Sequence, residues 1–105
     1  MGNFKHYLAL IKPKRRGFFK NPTKKEKIVM EEHFEYLKNL ITENKIQLAG
    51  PIINSVDPFG LIIFKTSSEE EARALLKKDP SVEKDIQKIL KLEPFRLSLF
   101  NPKTD

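Results

Sequence analysis

The chain has 105 residues, 39% of them hydrophobic and 32% charged, which is typical of one globular domain rather than a disordered or membrane-spanning chain. It contains no cysteine, which excludes disulfide scaffolds, thiolate zinc sites and cysteine nucleophiles. The net charge at pH 7 is +6, so anionic partners are favoured over cationic ones. We predict a single domain over residues 1–105.

The first predicted element is a strand over residues 4–12. Its aromatic and aliphatic residues fall on both faces, which is typical of a strand that is covered on both sides, and Pro13 ends it. The apolar run at residues 8–11 is too short for a signal-peptide core or a membrane span. We therefore expect a cytoplasmic protein with no membrane partner.

Positive charge is concentrated in residues 12–27, which hold one acid, Glu26. Their eight bases are Lys12, Lys14, Arg15, Arg16, Lys20, Lys24, Lys25 and Lys27. With Phe18 and Phe19 among them, these bases can bind phosphates and stack on nucleobases, or attract a small carboxylate. We favour a solvated loop whose phenylalanines fold back on the domain, because no nucleic-acid motif accompanies the segment.

A first helix is predicted from about residue 24 to residue 44. Thr23, followed three residues later by Glu26, has the pattern of a capping box. Apolar positions at spacings of three and four predict a face turned towards the protein. They are Met30, His33, Phe34, Leu37, Leu40 and Ile41. The one polar member, His33, is therefore predicted to point inward.

Two strands follow, over residues 46–53 and 60–66, separated by a turn. Gly50-Pro51 interrupts the first of them, and because proline lacks a backbone donor this indicates a sheet edge or a bulge. The second of them is almost wholly apolar. A second helix then starts at Ser67 or Ser68, each with a glutamate three residues on, and ends at Asp79-Pro80.

Asp79 continues the apolar face of this second helix, whose other members are Ala72, Leu75 and Leu76. A carboxylate directed at an apolar core requires a partner, because burying it unpaired is costly. His33 is the only imidazole aimed at the same interior. The sequence thus predicts contact between His33 and Asp79.

After a connection at residues 81–85, the alternation of apolar and polar residues over 86–99 predicts a fourth strand. Pro94 within it indicates a sheet edge or a bulge. The order β-α-β-β-α-β is that of an α+β, ferredoxin-like domain with a four-stranded antiparallel sheet and both helices on one face. The first and third strands are apolar on both faces, so the other sheet face needs a cover. We expect a homodimer that packs sheet against sheet and encloses a cavity near the sheet ends.

Short segments along nearly the whole chain match, in order, those of a known family. They are YLALIKP at residues 7–13, EHFEYL at 32–37, LAGP at 48–51, SEEEA at 68–72, DP at 79–80 and EPF at 93–95. On these residues the chain resembles the YCII-related (YciI-like) family of dimeric α/β-barrel domains. The resemblance implies that His33 and Asp79 match the family's active-site histidine and aspartate. The chain departs from the family at Ser81, often a phenylalanine there, and in a longer, more basic loop at residues 14–22.

An aspartate that accepts from one imidazole nitrogen holds the tautomer and leaves the other nitrogen to exchange a proton. We therefore predict His33 and Asp79 as catalytic residues of a lyase or isomerase acting on a small anionic molecule. Donors for a developing oxyanion, and hence substrate-binding residues, are predicted among His6, Tyr7, Ser68 and the backbone near Gly50.

No cofactor and no metal are predicted, because His6 and His33 lack carboxylates at a metal-binding spacing. Three other hypotheses remain open. The His33–Asp79 pair can be a charge-assisted hydrogen bond that only ties two helices together. The chain can be a non-catalytic dimeric module that binds a small ligand or serves another protein. Least favoured is a nucleic-acid-binding protein that uses residues 12–27.

Overall fold

The computed structural model describes residues 5–53 and 58–102, so Phe4 of the predicted first strand and positions 54–57 of the predicted turn lie outside the described residues. The elements are β1 (Lys5–Pro13), α1 (Lys24–Thr42), β2 (Ile46–Ile52), β3 (Phe59–Thr66), α2 (Glu69–Lys77), α3 (Pro80–Glu83) and β4 (Gln87–Phe95). The predicted order is confirmed. The structure adds α3, a short helix within the predicted connection after α2.

The four strands form one antiparallel sheet in the order β2-β3-β1-β4, which confirms the ferredoxin-like arrangement. Both edge strands contain the predicted edge signals, Pro51 in β2 and Pro94 in β4. β4 ends at Phe95 rather than at residue 99. Phe95 pairs with His6, the second residue of β1, so β1 offers almost no further backbone to pair with.

The core lies between one face of the sheet and the helices. Its buried members are Tyr7, Ala9, Ile11, Leu37, Leu40, Ile46, Ile62, Phe64, Ala72 and Leu76. On α1 the prediction was wrong for Phe34 and Ile41, which are 62% and 47% exposed. Both line an open cavity beside α1, so this part of the helix face meets an opening instead of the sheet.

The opposite face of the sheet carries the alternate residues of each strand. Leu8 and Leu10 of β1 are half-buried there, and Leu48 on the edge strand β2 is 48% exposed. Among the described residues, no helix packs over this face. The sheet therefore presents an apolar surface opposite its helices. None of the described helices combines the length and the apolar character needed to cross a membrane.

The basic loop before α1 is tied to the start of that helix. Glu26 accepts from Nε and Nη2 of Arg15, at 2.9 and 2.7 Å, and from the backbone N–H of Thr23 at 2.7 Å. The Thr23 hydroxyl accepts from the Glu26 N–H, which completes the predicted capping box. Phe18 is buried as expected, whereas Phe19 remains half exposed and its ring meets Phe18 edge to face.

This arrangement makes the stability of the protein depend on pH. The hydrogen bond from Arg15, followed by that from the Thr23 backbone, lowers the pKa of Glu26 from 4.5 to about 2. A carboxylate with a depressed pKa stabilises the folded state fully above its unfolded pKa, and the contribution is lost as pH falls through the folded value. Glu26→Gln is therefore expected to destabilise most above pH 4.5 and progressively less towards pH 2.

Urea unfolding of wild type and Glu26→Gln across this range measures the difference. The matched control is Glu31→Gln, an exposed position on the same helix, which corrects for general effects of acid. If the difference in unfolding free energy between wild type and Glu26→Gln is the same at pH 4.5 and at pH 2, the lowered pKa of Glu26 does not contribute to stability as proposed.

Candidate functional site

His33 and Asp79 are in contact. Nδ1 of His33 lies 2.6 Å from Oδ2 of Asp79, and the two side chains are 14% and 1% exposed. The histidine comes from the middle of α1, and the aspartate is the N-cap of α3, two residues after the end of α2. The predicted contact is thus present, across 46 residues of sequence. A carboxylate accepts, so Nδ1–H of His33 is the donor of this bond, and Nε2 of the ring lies outside it.

The position of Asp79 follows from the proline after it. Pro80 disfavours helical geometry at the residue before it, so α2 ends and Asp79 adopts φ −58° and ψ 125° as the N-cap of α3. Its Oδ1 accepts the backbone N–H of Ser81 at 2.8 Å, as an N-cap side chain does. This local motif holds the carboxylate so that Oδ2 faces α1.

Two buried side chains extend this pair. The Ser81 hydroxyl donates to Oδ1 of Asp79 at 2.8 Å, and Nε2 of Gln87 lies 3.0 Å from the Ser81 oxygen. Ser81 and Gln87 are both buried. Neither was predicted as a site residue, although Ser81 had one local signal, its place in the first turn after an Asp-Pro N-cap.

Tyr36 adds a link between the helices. Its hydroxyl donates to the backbone carbonyl of Leu75 at 2.6 Å, which ties α1 to α2. Burial, and then the negative charge of Asp79, raise the pKa of Tyr36 to about 12. The phenol therefore stays protonated at neutral pH and acts as a donor beside the pair.

An open cavity of about 540 Å³ lies between α1 and the ends of β1, β2 and β3. Its polar side chains are His33, Lys38 and Gln87, and most of its wall is apolar. Nζ of Lys38 lies 3.5 Å from Glu35 and 5.7 Å from the ring centroid of Phe34. The part of the chain that the structure describes holds no group of three His, Asp or Glu side chains suited to a metal ion.

A second groove, of about 640 Å³, lies outside this cavity, and Phe19, Met30 and Phe34 contribute to both. It runs between the basic loop and the outer side of α1. His33 lines the inner cavity and not this groove, so the inner cavity is the candidate site.

The structure brings together only part of the predicted site. His33 and Gly50 line the cavity, and Asp79 lies directly behind His33. Tyr7 is buried in the core, and Ser68 caps α2 by accepting the Glu71 N–H. These two residues lie outside the cavity lining, and their substrate-binding role stays a prediction.

His6 lies on the sheet face opposite the helices, where its Nε2 is buried without a partner among the described residues. The strand register explains why it is far along the strand from the cavity. Ile11, which lines the cavity, pairs with Gly60, whereas His6 pairs with Lys65 towards the other end of β3. A ligand-binding role for His6 likewise stays a prediction.

Comparison with known proteins identifies the family. The model of the YCII-related domain matches residues 6–96. No curated protein matches the chain. Among solved structures, 5-chloro-2-hydroxyhydroquinone dehydrochlorinase from Burkholderia phenoliruptrix AC1100, in complex with 2,5-dihydroxybenzoquinone, superposes with a TM-score of 0.60. The match covers 88% of this chain and 93% of that chain at 17% identity, and so establishes a shared fold. Since the family model spans nearly all of the sheet and both site residues, the chain belongs to the YCII-related domain family.

Proposed function

We propose that this protein is a small enzyme that transfers protons on a small anionic organic molecule, by lyase or isomerase chemistry. His33 is its acid–base group, and Asp79 orients and stabilises the histidine. One observation carries the proposal. His33 lines the cavity, and its Nδ1 lies 2.6 Å from Oδ2 of Asp79, whose side chain is almost completely buried.

The chemistry uses the second ring nitrogen. Nε2 takes a proton from a carbon beside a carbonyl, and the C–H electron pair forms a carbon–carbon double bond as the carbonyl pair moves to oxygen. In an isomerase, the imidazolium returns the proton to a different carbon. In a lyase, the pair on oxygen re-forms the carbonyl and the enolate pair moves to form a double bond with the adjacent carbon. The leaving group departs from that carbon with its bonding pair, and the imidazolium then releases its proton to water. Asp79 stabilises the imidazolium in both cases.

The cavity supports a small anionic ligand. Lys38 places a positive charge in a wall that is otherwise mostly apolar, and this charge attracts an anion. Its side chain is 59% exposed and lies 3.5 Å from Glu35, so a ligand anion would share it with that carboxylate. The dehydrochlorinase that shares the fold is, by its name, an enzyme that removes the elements of hydrogen chloride from a small aromatic molecule. That supports elimination as one form of the proposed chemistry.

A binding module without catalysis is the second candidate. The contact between His33 and Asp79, together with the bond from Tyr36 to Leu75, ties α1 to the segment around α2 and α3. Such a tie explains a buried aspartate without any reaction.

The deciding experiment is catalysed proton exchange. The wild-type protein is incubated in D₂O with small keto- and hydroxycarboxylates and with 5-chloro-2-hydroxyhydroquinone, and deuterium uptake and chloride release are followed. The enzyme hypothesis expects exchange or chloride release above the buffer rate for at least one compound. Compounds that shift the His33 NMR signals but undergo neither process would favour the binding module.

We also propose that the protein is a homodimer that packs through the open sheet face. Leu8, Leu10 and Leu48 form part of an apolar surface there that no described helix covers. Exposed contiguous apolar surface of this kind marks an interface, because water contact with it is unfavourable.

Sedimentation at micromolar concentration is expected to give about twice the chain mass of 12.2 kDa. Leu48→Glu places a charge on the open face and is expected to yield monomers. Ile28→Glu on α1 is the matched control, because Ile28 is 49% exposed and Leu48 48%. A monomeric wild type, or equal behaviour of the two variants, would count against this interface.

A further inference from the structure

We propose that Gln87 is a ligand-binding residue of the cavity that accepts a hydrogen bond from a ligand hydroxyl, and that Ser81 is a positioning residue that holds Asp79 towards His33. The inference rests on the proposed function for its site, and it extends the ligand class to small anions that carry a hydroxyl group. Its evidence is the chain of hydrogen bonds from Gln87 through Ser81 to Asp79.

The Ser81 hydroxyl has a single proton to donate. The carboxylate of Asp79, paired with His33, only accepts hydrogen bonds. Its Oδ1 lies 2.8 Å from the Ser81 oxygen, so the hydroxyl proton is used there. The Ser81 oxygen must then act as acceptor towards Gln87, 3.0 Å away. This requirement orients the Gln87 amide with its NH₂ group towards Ser81.

The other end of that amide is its carbonyl. With the NH₂ group turned to Ser81, Oε1 is the remaining polar atom of the Gln87 side chain, and it is an acceptor. Gln87 is 4% exposed and lines the cavity. A ligand hydroxyl in the cavity is a donor for this acceptor.

Gln87 and Lys38 favour different groups of the ligand. An amide oxygen repels a carboxylate, whereas the ammonium of Lys38 attracts it, and both side chains line the same cavity. The ligand's negative group therefore goes to Lys38 and its hydroxyl to Gln87. His33, in the same wall, lies beside the body of the ligand.

Ser81 holds the carboxylate of Asp79 in place. Oδ1 of Asp79 is held by two donors of this residue, its backbone N–H and its hydroxyl, both at 2.8 Å. Loss of the hydroxyl leaves Asp79 with one donor and also removes the Ser81 oxygen that lies 3.3 Å from Nδ1 of His33. The carboxylate then gains freedom to turn, and the hold on Nδ1–H of His33 weakens. A hydroxyl bound at Gln87 polarises the amide and strengthens the same chain of bonds.

Binding of benzoate and of the three monohydroxybenzoates tests the Gln87 subsite, because each pair differs by one hydroxyl group. At least one hydroxybenzoate is expected to bind wild type up to about tenfold more tightly than benzoate. Gln87→Met is expected to remove that preference and leave benzoate binding unchanged. Lys38→Met, the matched control, is expected to weaken both ligands alike.

The subsite is wrong if no hydroxybenzoate binds wild type better than benzoate, including the case in which none binds. It is also wrong if the preference survives in Gln87→Met. Should that variant fail to fold, Gln87→Asn, which withdraws the amide by one methylene, takes its place.

Imidazole ¹⁵N NMR tests the positioning role, since the chain has only two histidines, His6 and His33. Ser81→Ala is expected to move the His33 ¹⁵N signals towards a mixture of tautomers. Ser67→Ala, which removes an exposed hydroxyl that donates to Glu71, is expected to leave them in place. Unchanged His33 signals in Ser81→Ala would overturn the positioning role. Ligand binding and the His33 ¹⁵N signals are both measured without turnover. A failure of the catalytic proposal therefore does not affect these two tests.

Discussion

His33→Gln and Asp79→Asn are each expected to lower turnover of the compound found by proton exchange by about 10²- to 10⁴-fold, the usual contribution of general acid–base catalysis. Glutamine keeps a hydrogen-bonding side chain of similar reach but has no nitrogen that takes up a proton. Asparagine keeps the shape of Asp79 but removes the charge that holds Nδ1–H and stabilises the imidazolium. Steady-state kinetics and circular dichroism on the same samples measure activity and folding together.

The matched control for these variants is Glu32→Gln. Glu32 neighbours His33 on α1, pairs with Lys84 at the surface, and does not line the cavity. Its substitution is expected to leave turnover near the wild-type value. If His33→Gln and Asp79→Asn fold and keep wild-type turnover, the pair has only a structural role and His33 is not the general base.

Phe64→Ala is expected to lower the free energy of unfolding by about 3–5 kcal/mol, the usual cost of emptying a buried aromatic site. Phe64 is fully buried in the core beneath the helices, where its removal leaves a cavity that neighbours fill only partly. The comparison is Phe34→Ala, because Phe34 is 62% exposed on α1. We expect the latter to change stability by no more than about 0.5 kcal/mol.

Guanidinium unfolding of both variants measures the contrast. Where Phe64→Ala leaves too little folded protein for a baseline, Phe64→Leu keeps most of the volume and is expected to cost less than about 1.5 kcal/mol. Equal losses in Phe64→Ala and Phe34→Ala would contradict the burial of the two rings as described.

Local signals in the sequence were enough to predict the four strands, α1, α2 and the contact between His33 and Asp79. The capping box of Thr23 and Glu26 marked the start of α1, and Pro80 marked the end of α2. Spacings of three and four then placed His33 on the inner face of α1 and predicted an inward-facing Asp79. The structure places Asp79 just beyond the end of α2, as the N-cap of α3. Since a buried carboxylate demands a donor, and the chain has only two histidines, their contact was predictable without coordinates.

The remainder of the site depends on which ends of the strands lie together. The spacing of apolar residues along the sequence carries no information about how the strands are aligned. His6 and Ile11 belong to the same strand, yet only Ile11 reaches the cavity. Gln87 begins β4 and meets the site because it pairs with Pro13 at the cavity end of β1. A period identifies the face on which a residue lies, whereas the antiparallel register determines its position along that face.

Local sequence patterns thus predict the fold class, the order of the four strands and the two longer helices, and the contact between His33 and Asp79. Only the folded chain shows that Phe34 and Ile41 face an opening, that Ser81 and Gln87 extend the pair, and that Tyr7 and Ser68 lie outside the cavity lining. The difference arises from the sequence separation over which each kind of interaction acts. Helix caps, breakers and periodic faces arise from interactions within a few residues, but a cavity is the space left where distant segments fail to meet.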